Sequence, residues 1–315
     1  MKIEYKILWI DDNHRHLKGI KKVISDFIKQ QEIIPNIKNI TANPDWTPDN
    51  DKEFIDAIKD IELDMVFIDF NMPGAMGDDL INWIRTSENN YHIPILFYTG
   101  EDDPISTLQD KIIALNKRKR TKIIDGIYFS DRDNIADKTI NILKSLFKKE
   151  ESIQRSRGLL MDRVSEIDGE MINSLDLLWK KIPAGKEGAI KGFLIKNIKQ
   201  FGEHSLELAE KIKNNKFSEV LKIINKKHNT IGTALRTSTL VQLLEATKSK
   251  KDLSQKLKCF SNSSDKNCLC SLRNRYAHTT AKELDKEHNT TLCKYIRKET
   301  REQLENVKQI IAQQK

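Results

Sequence analysis

The strongest constraint on the fold is a change of hydrophobic period near residue 158. Before it, short apolar runs ("KILWI", "NIKNITA", "DMVFID", "IPILFY" and "IIDGIYF") alternate with amphipathic stretches over about 14–30, 52–60, 77–86, 104–117 and 133–148. Five short strands, each followed by a helix, predict a doubly wound parallel sheet covered on both faces. Ligands of such sheets bind at the carboxyl ends of the strands. After the change, Leu160, Val164, Ile167, Met171, Leu175 and Leu178 follow spacings of 4, 3, 4, 4 and 3, which is one stripe of a helix. Further helices are expected over about 186–213, 217–228, 231–248, 268–280 and 289–313, so the second part reads as an all-α bundle. The charged stretch "KKEESIQRSRG" carries no strand signal and reads as a linker or as helix continuing between domains. The expected division is therefore 1–149, a linker over 150–158, and 159–315.

A length of 315 residues suits two domains, and 38% apolar with 32% charged residues suits a soluble protein. The start, "MKIEYKILWIDD", has no signal-peptide core, and no apolar run approaches a membrane span; the expectation is a cytoplasmic protein without a membrane partner. Charge divides the chain. Residues 1–150 hold 22 Lys and Arg against 26 Asp and Glu, a net charge of −4, whereas residues 151–315 hold 32 against 20, a net charge of +12. A basic second domain points to a polyanion, RNA or DNA first, although charge alone leaves a solvated lysine-rich surface equally open. Cys259, Cys268, Cys270 and Cys293 lie in the last fifth of the chain. A reducing cytosol argues against disulfides. The spacing lacks the paired CxxC knuckles of a zinc site, so free cysteines are preferred to zinc.

Asp11 and Asp12 follow the first expected strand, Asp69 the third and Thr99 the fourth. Three carboxylates converging at one sheet edge repel one another unless a hard cation such as Mg²⁺ neutralises them. A carboxylate beside such a cation can accept a phosphoryl group. "KILWIDDN", "VFIDFNMPGAMGDDLINWIR" and "IPILFYTG" resemble the receiver domain of two-component response regulators, a flavodoxin-like fold. The resemblance implies Asp69 as phosphoacceptor, Asp11, Asp12, Asp69 and the Asn71 carbonyl as Mg²⁺ ligands, Thr99 as switch hydroxyl and Tyr128 as rotameric aromatic. It also implies a cognate histidine kinase or other phosphodonor. Where the family has a phosphate-binding Lys followed by Pro, this chain reads Asp131 and Arg132; either Arg132 is the substitute cation, or the pocket is phosphorylated weakly or serves as a constitutive docking fold. The basic segment "NKRKRTK", Asn116 to Lys122, reads as a solvated loop.

Metal-free RNA cleavage needs a group titrating near neutrality, which His supplies, and a cation for the phosphorane charge, which Arg supplies. Arg273 and His278 are such residues, but Arg85 and His92 also carry an Arg-to-His spacing of that kind. Context separates the two pairs: Arg273 to His278 falls on an expected helix above a stripe of Leu269, Leu272 and Tyr276. Asn274 precedes His278 by one turn and can orient it. Arg273 lies about 140° around the helix from His278, so a two-fold dimer is needed to pool both on one phosphate. "LRNRYAHT" in a basic all-α domain resembles the HEPN ribonuclease family. That resemblance implies Arg273, Asn274 and His278 as catalytic residues of a metal-independent, homodimeric endoribonuclease. Glu166 and Asp168 are candidates for an acidic partner. His204 reads as a solvent-facing helical residue rather than a phosphotransfer histidine. The joint reading is a receiver gating an RNA-cutting effector, of a kind used in stress response or phage defence as a toxin. The alternative is a receiver controlling a non-catalytic RNA-binding or protein-interaction domain.

Overall fold

A computed structural model describes residues 1–60, 62–73, 77–86, 92–100, 126–199, 203–226, 232–247, 251–261 and 265–314, together with 106, 109, 110, 113 and 114. The chain divides into two compact units, Lys2–Glu150 and Glu151–Lys315, the latter including Met1.

In the N-terminal unit the described elements are β1 (Glu4–Asp11), α1 (Lys18–Lys29), β2 (Ile34–Thr41), α2 (Lys52–Lys59), β3 (Leu63–Asp69), α3 (Gly77–Thr86), β4 (Ile95–Thr99), β5 (Ile127–Asp131) and α4 (Ile135–Glu150). The strands pair in parallel in the order β2-β1-β3-β4-β5. This is the flavodoxin-like doubly wound sheet, whose order reverses between β1 and β3. Its strands are apolar on both faces because both faces are covered. Alternation sends Leu8, Ile10, Val66, Ile68, Ile95 and Phe97 towards a core shared with Phe54, Ile58, Leu80, Ile81 and Ile84 of α2 and α3. Ile7, Trp9, Met65, Phe67, Leu96 and Tyr98 face the opposite core, with Ile24 and Ile28 of α1 and Leu143 and Phe147 of α4. The helix expected over 104–117 and the basic segment 116–122 lie outside the described residues, apart from a few isolated positions in 104–117.

The second unit is helical: α5 (Ile153–Trp179), α6 (Glu187–Ile198), α7 (Glu203–Asn214), α8 (Phe217–Lys226), α9 (Thr233–Ala246), α10 (Lys251–Phe260), α11 (Leu269–His278), α12 (Ala281–Leu284) and α13 (Thr290–Gln314). All six residues of the 160–178 stripe are buried, and α13, α9 and α11 pack against α5. The described helices bear on the expected ones as follows. The linker over 150–158 is mostly helix: Ser152 caps α5 by accepting from the Arg155 N–H, and Ser156 and Leu159 extend the buried stripe towards its start. Within the helix expected over 186–213 the described helices are α6 and α7, and residues 200–202 lie outside the described residues. α10 was not expected, although Leu253, Leu257 and Phe260 recur at helical spacing and are buried. Among the described residues, no helix is long and apolar enough to cross a membrane.

Candidate functional site

Parallel pairing aligns the carboxyl ends of the strands, and the last residues of β1 and β3 are acidic. Asp11 and Asp69 are both fully buried, while Asp12, one residue beyond β1, is exposed. Carboxylate oxygens of Asp11, Asp12 and Asp69 lie within 4.8 Å of one another. Gly77 makes room: a Cβ there would come within 2.5 Å of the Phe97 ring and 2.7 Å of the Asp69 carbonyl oxygen, so α3 can start against the site only without a side chain.

The two buried carboxylates have donors. Asp11 Oδ1 accepts the Asn13 N–H at 2.6 Å, and Oδ2 accepts the Tyr98 hydroxyl, which itself accepts the Trp9 indole N–H at 2.8 Å. Asp69 Oδ1 accepts the Asn71 N–H at 3.3 Å, and Oδ2 accepts Arg132 Nη2 at 2.8 Å. Burial, reinforced by the charge of Asp11, pushes the Asp69 carboxyl up to about 6 from an ordinary 3.8, even though Arg132 pulls the other way. Arg132 is about a third exposed, so water screens its charge. Burial, with Asp11 beside it, also raises the Tyr98 hydroxyl well above its usual range. The Thr99 Oγ1 at the end of β4 is buried without a hydrogen-bond partner among the described residues. Tyr128, on β5 beside Leu96, is half-buried against the Trp9 core. Asp131 turns away, accepting the backbone N–H and side-chain amide of Asn134 ahead of α4, which leaves Arg132 as the cation at Asp69. An all-oxygen donor set, raised in energy by mutual repulsion, fits a hard divalent cation such as Mg²⁺.

In the second unit Cys268 caps α11 and Leu269, Leu272 and Tyr276 anchor it. Arg273, Asn274 and His278 are exposed. Asn274 Oδ1 accepts Arg273 Nη1 at 3.0 Å, so the amide holds the arginine rather than the imidazole expected from the one-turn spacing. Arg273 and Asn274 line a cleft of about 450 Å³ with Asp168, Arg236, Cys270 and Thr233, and His278 is not among its lining residues. The buried Arg236 is paired with Asp168, and Glu166 is engaged by Arg163 on the surface. Arg85 is buried and His92 exposed. Among the described residues, the acidic triad is the one group of three or more His, Cys, Asp or Glu residues with metal-ligand spacing; the four thiols form no such group. The His204 side chain lies outside the described residues.

Residues 7–115 match the family model of the response regulator receiver domain. The N-terminal unit carries a receiver domain. Over 80 residues the chain is 31% identical to chemotaxis protein CheY-3 of Vibrio cholerae serotype O1, an overlap of 25% of this chain and 62% of that protein. It is 28% identical over 80 residues to chemotaxis protein CheY of Pseudomonas aeruginosa, an overlap of 25% and 64%. The chain thus spans a little under two thirds of the curated relatives it matches.

Reading by residue type missed Trp9, Tyr98 and Arg236. Trp9 and Tyr98 sit in apolar runs, and their one legible signal is alternation, which puts both on the face of Asp11 and Asp69. Arg236 carries no local signal, since its partner lies 68 residues away.

Proposed function

We propose that this chain is a phosphorylation-gated effector, with Asp69 as phosphoacceptor and the C-terminal unit as an RNA-directed output. The observation that carries the reading is the convergence of Asp11, Asp12 and Asp69 at the β1 and β3 ends, with Arg132 bonded to Asp69. The deprotonated Asp69 oxygen attacks the phosphorus of a histidine kinase's phosphohistidine or of a small phosphodonor. The new P–O bond forms as the bond to the leaving group breaks, and the leaving group departs with the electron pair. Bound by Asp11, Asp12, Asp69 and the Asn71 carbonyl, Mg²⁺ would offset the incoming phosphoryl charge. Arg132 holds the acceptor oxygen before transfer and remains beside the phosphoryl group afterwards. Thr99 supplies the unpartnered hydroxyl that reaches a phosphoryl oxygen, and Tyr128 follows it, shifting the receiver between two states.

For the output we propose metal-independent RNA cleavage by a homodimer, as expected of a HEPN-type effector in stress response or phage defence. Arg273 binds the phosphate and Asn274 positions the arginine. His278 is outside the cleft of its own copy, so a second copy must bring the imidazole. A second reading, RNA binding or protein interaction without cleavage, is favoured by the exposure of His278 and the Arg273–Asn274 bond. Incubation of the purified chain with RNA in EDTA, before and after phosphorylation, decides between them. The first reading predicts cleavage that His278→Ala and Arg273→Ala abolish. Binding without cleavage, unchanged in both variants, establishes the second reading.

A further inference from the structure

We infer that Tyr98 is a positioning residue for the cation site of the receiver, an inference that rests on reading Asp11, Asp12 and Asp69 as that site. Tyr98 is directly opposite Asp69 in the β3–β4 register, and Trp9 is opposite Phe67 in the β1–β3 register. Alternation therefore puts Trp9, Asp11, Phe67, Asp69 and Tyr98 on one face of the sheet. The side chain of Tyr98 is fully buried there. An indole N–H only donates, so the chain of hydrogen bonds has one direction: Trp9 Nε1 to the Tyr98 oxygen at 2.8 Å, and the Tyr98 hydroxyl to Asp11 Oδ2. The other Asp11 oxygen takes the Asn13 N–H at 2.6 Å. His16 Nε2 lies 4.0 Å from Oδ2.

Both oxygens of Asp11 thus have donors, and the carboxylate cannot rotate without giving up a buried hydrogen bond. Such outer partners fix the orientation of a ligating carboxylate before the metal arrives. The ring alone does not do this. Phenylalanine would fill nearly the same volume, yet it would leave Asp11 Oδ2 and the Trp9 N–H facing an apolar layer in which Trp9 packs edge-on against Phe67 at 4.3 Å. Burying both groups unpaired is costly, so the hydroxyl is needed to hold the geometry. It also joins the cation site to β4 one residue before the switch position Thr99.

The test is Mg²⁺ binding by calorimetry to the full chain, its folded state followed by circular dichroism, for wild type, Tyr98→Phe, Trp9→Phe and Asp69→Asn. Tyr98→Phe should weaken Mg²⁺ by about tenfold. Trp9→Phe, which removes the donor that orients Tyr98 but keeps the hydroxyl on Asp11, should weaken it by less. Equal affinity in wild type and folded Tyr98→Phe overturns the inference while leaving the cation site intact. Should Tyr98→Phe not fold, Trp9→Phe decides, and an unchanged affinity there overturns it. No Mg²⁺ binding by wild type, or equal binding by Asp69→Asn, removes the underlying site and the inference with it.

Discussion

At the sheet edge of the receiver, Asp11 and Asp69 are fully buried side by side, with Arg132 against Asp69. In the helical unit two buried arginines are matched with carboxylates, Arg236 with Asp168 and Arg297 with Glu151. In the first arrangement burial, reinforced by the charge of Asp11, raises the Asp69 carboxyl. The second spends its charge internally. Buried charge that is left unbalanced asks for a ligand, whereas buried charge that is balanced holds helices together. On that distinction the receiver pocket is built to be filled, whereas the buried Arg236 and Arg297 of the helical unit are structural and Arg273 is exposed.

The comparison is broken most severely by removing one partner of a balanced pair. Arg297 is fully buried on α13 and bonds Glu151 Oε1 at 3.2 Å, with Thr290 on the other carboxylate oxygen at 2.8 Å. Arg297→Met should cost about 3–5 kcal/mol in urea unfolding of the helical unit. A cost below about 1 kcal/mol, the range of a surface pair, would show that this charge is not holding α13 to the start of α5.

The next effect has the opposite character, because Asp69 is destabilising when ionised. Its carboxyl rises from 3.8 to about 6 on folding, so the folded state binds the proton more tightly. The stability this gives is fully present below about pH 4 and is lost as pH rises through about 6. In the absence of Mg²⁺, the stability difference between wild type and Asp69→Asn should shift by about 2–3 kcal/mol over that window, with wild type losing ground as pH rises. Saturating Mg²⁺ should flatten the difference. A pH-independent difference contradicts the raised carboxyl.

The smallest effect concerns Thr99, whose buried hydroxyl has no partner among the described residues. Replacing such a group with an apolar isostere relieves a desolvation cost, so Thr99→Val should leave receiver stability unchanged or raise it by up to about 1 kcal/mol. The same variant should lose the change in receiver state that follows phosphorylation, read as the shift in amide hydrogen exchange across β4 and β5. Destabilisation by Thr99→Val would mean that the hydroxyl already serves the resting fold.

Much of the receiver was legible in the sequence because its determinants are local. Alternation within "KILWI" and "DMVFID" gives both faces of the sheet, and the acidic residues close those same runs, so the ends of β1 and β3 could be read together. The 160–178 stripe was legible for the same reason, with a single period over five turns. What escaped depends on contacts between distant segments. The Tyr98 hydroxyl looks like one more apolar position until Asp11, 87 residues earlier, is brought beside it. Asn274 has two neighbours on its helix, and the sequence does not say that it will choose Arg273 over His278. The start of α5 hides within a charged stretch whose one buried α5 residue, Ser156, is too little to show a period.

The central claim is that the unbalanced carboxylates of the receiver form a cation-dependent phosphoacceptor. Intact-mass spectrometry of the full chain after exposure to acetyl phosphate tests it most directly. The account predicts one phosphoryl group on wild type with Mg²⁺, and none in EDTA or on Asp69→Asn. A phosphoryl group that persists on Asp69→Asn, or none on wild type with either Mg²⁺ and acetyl phosphate or the cognate kinase, would contradict it.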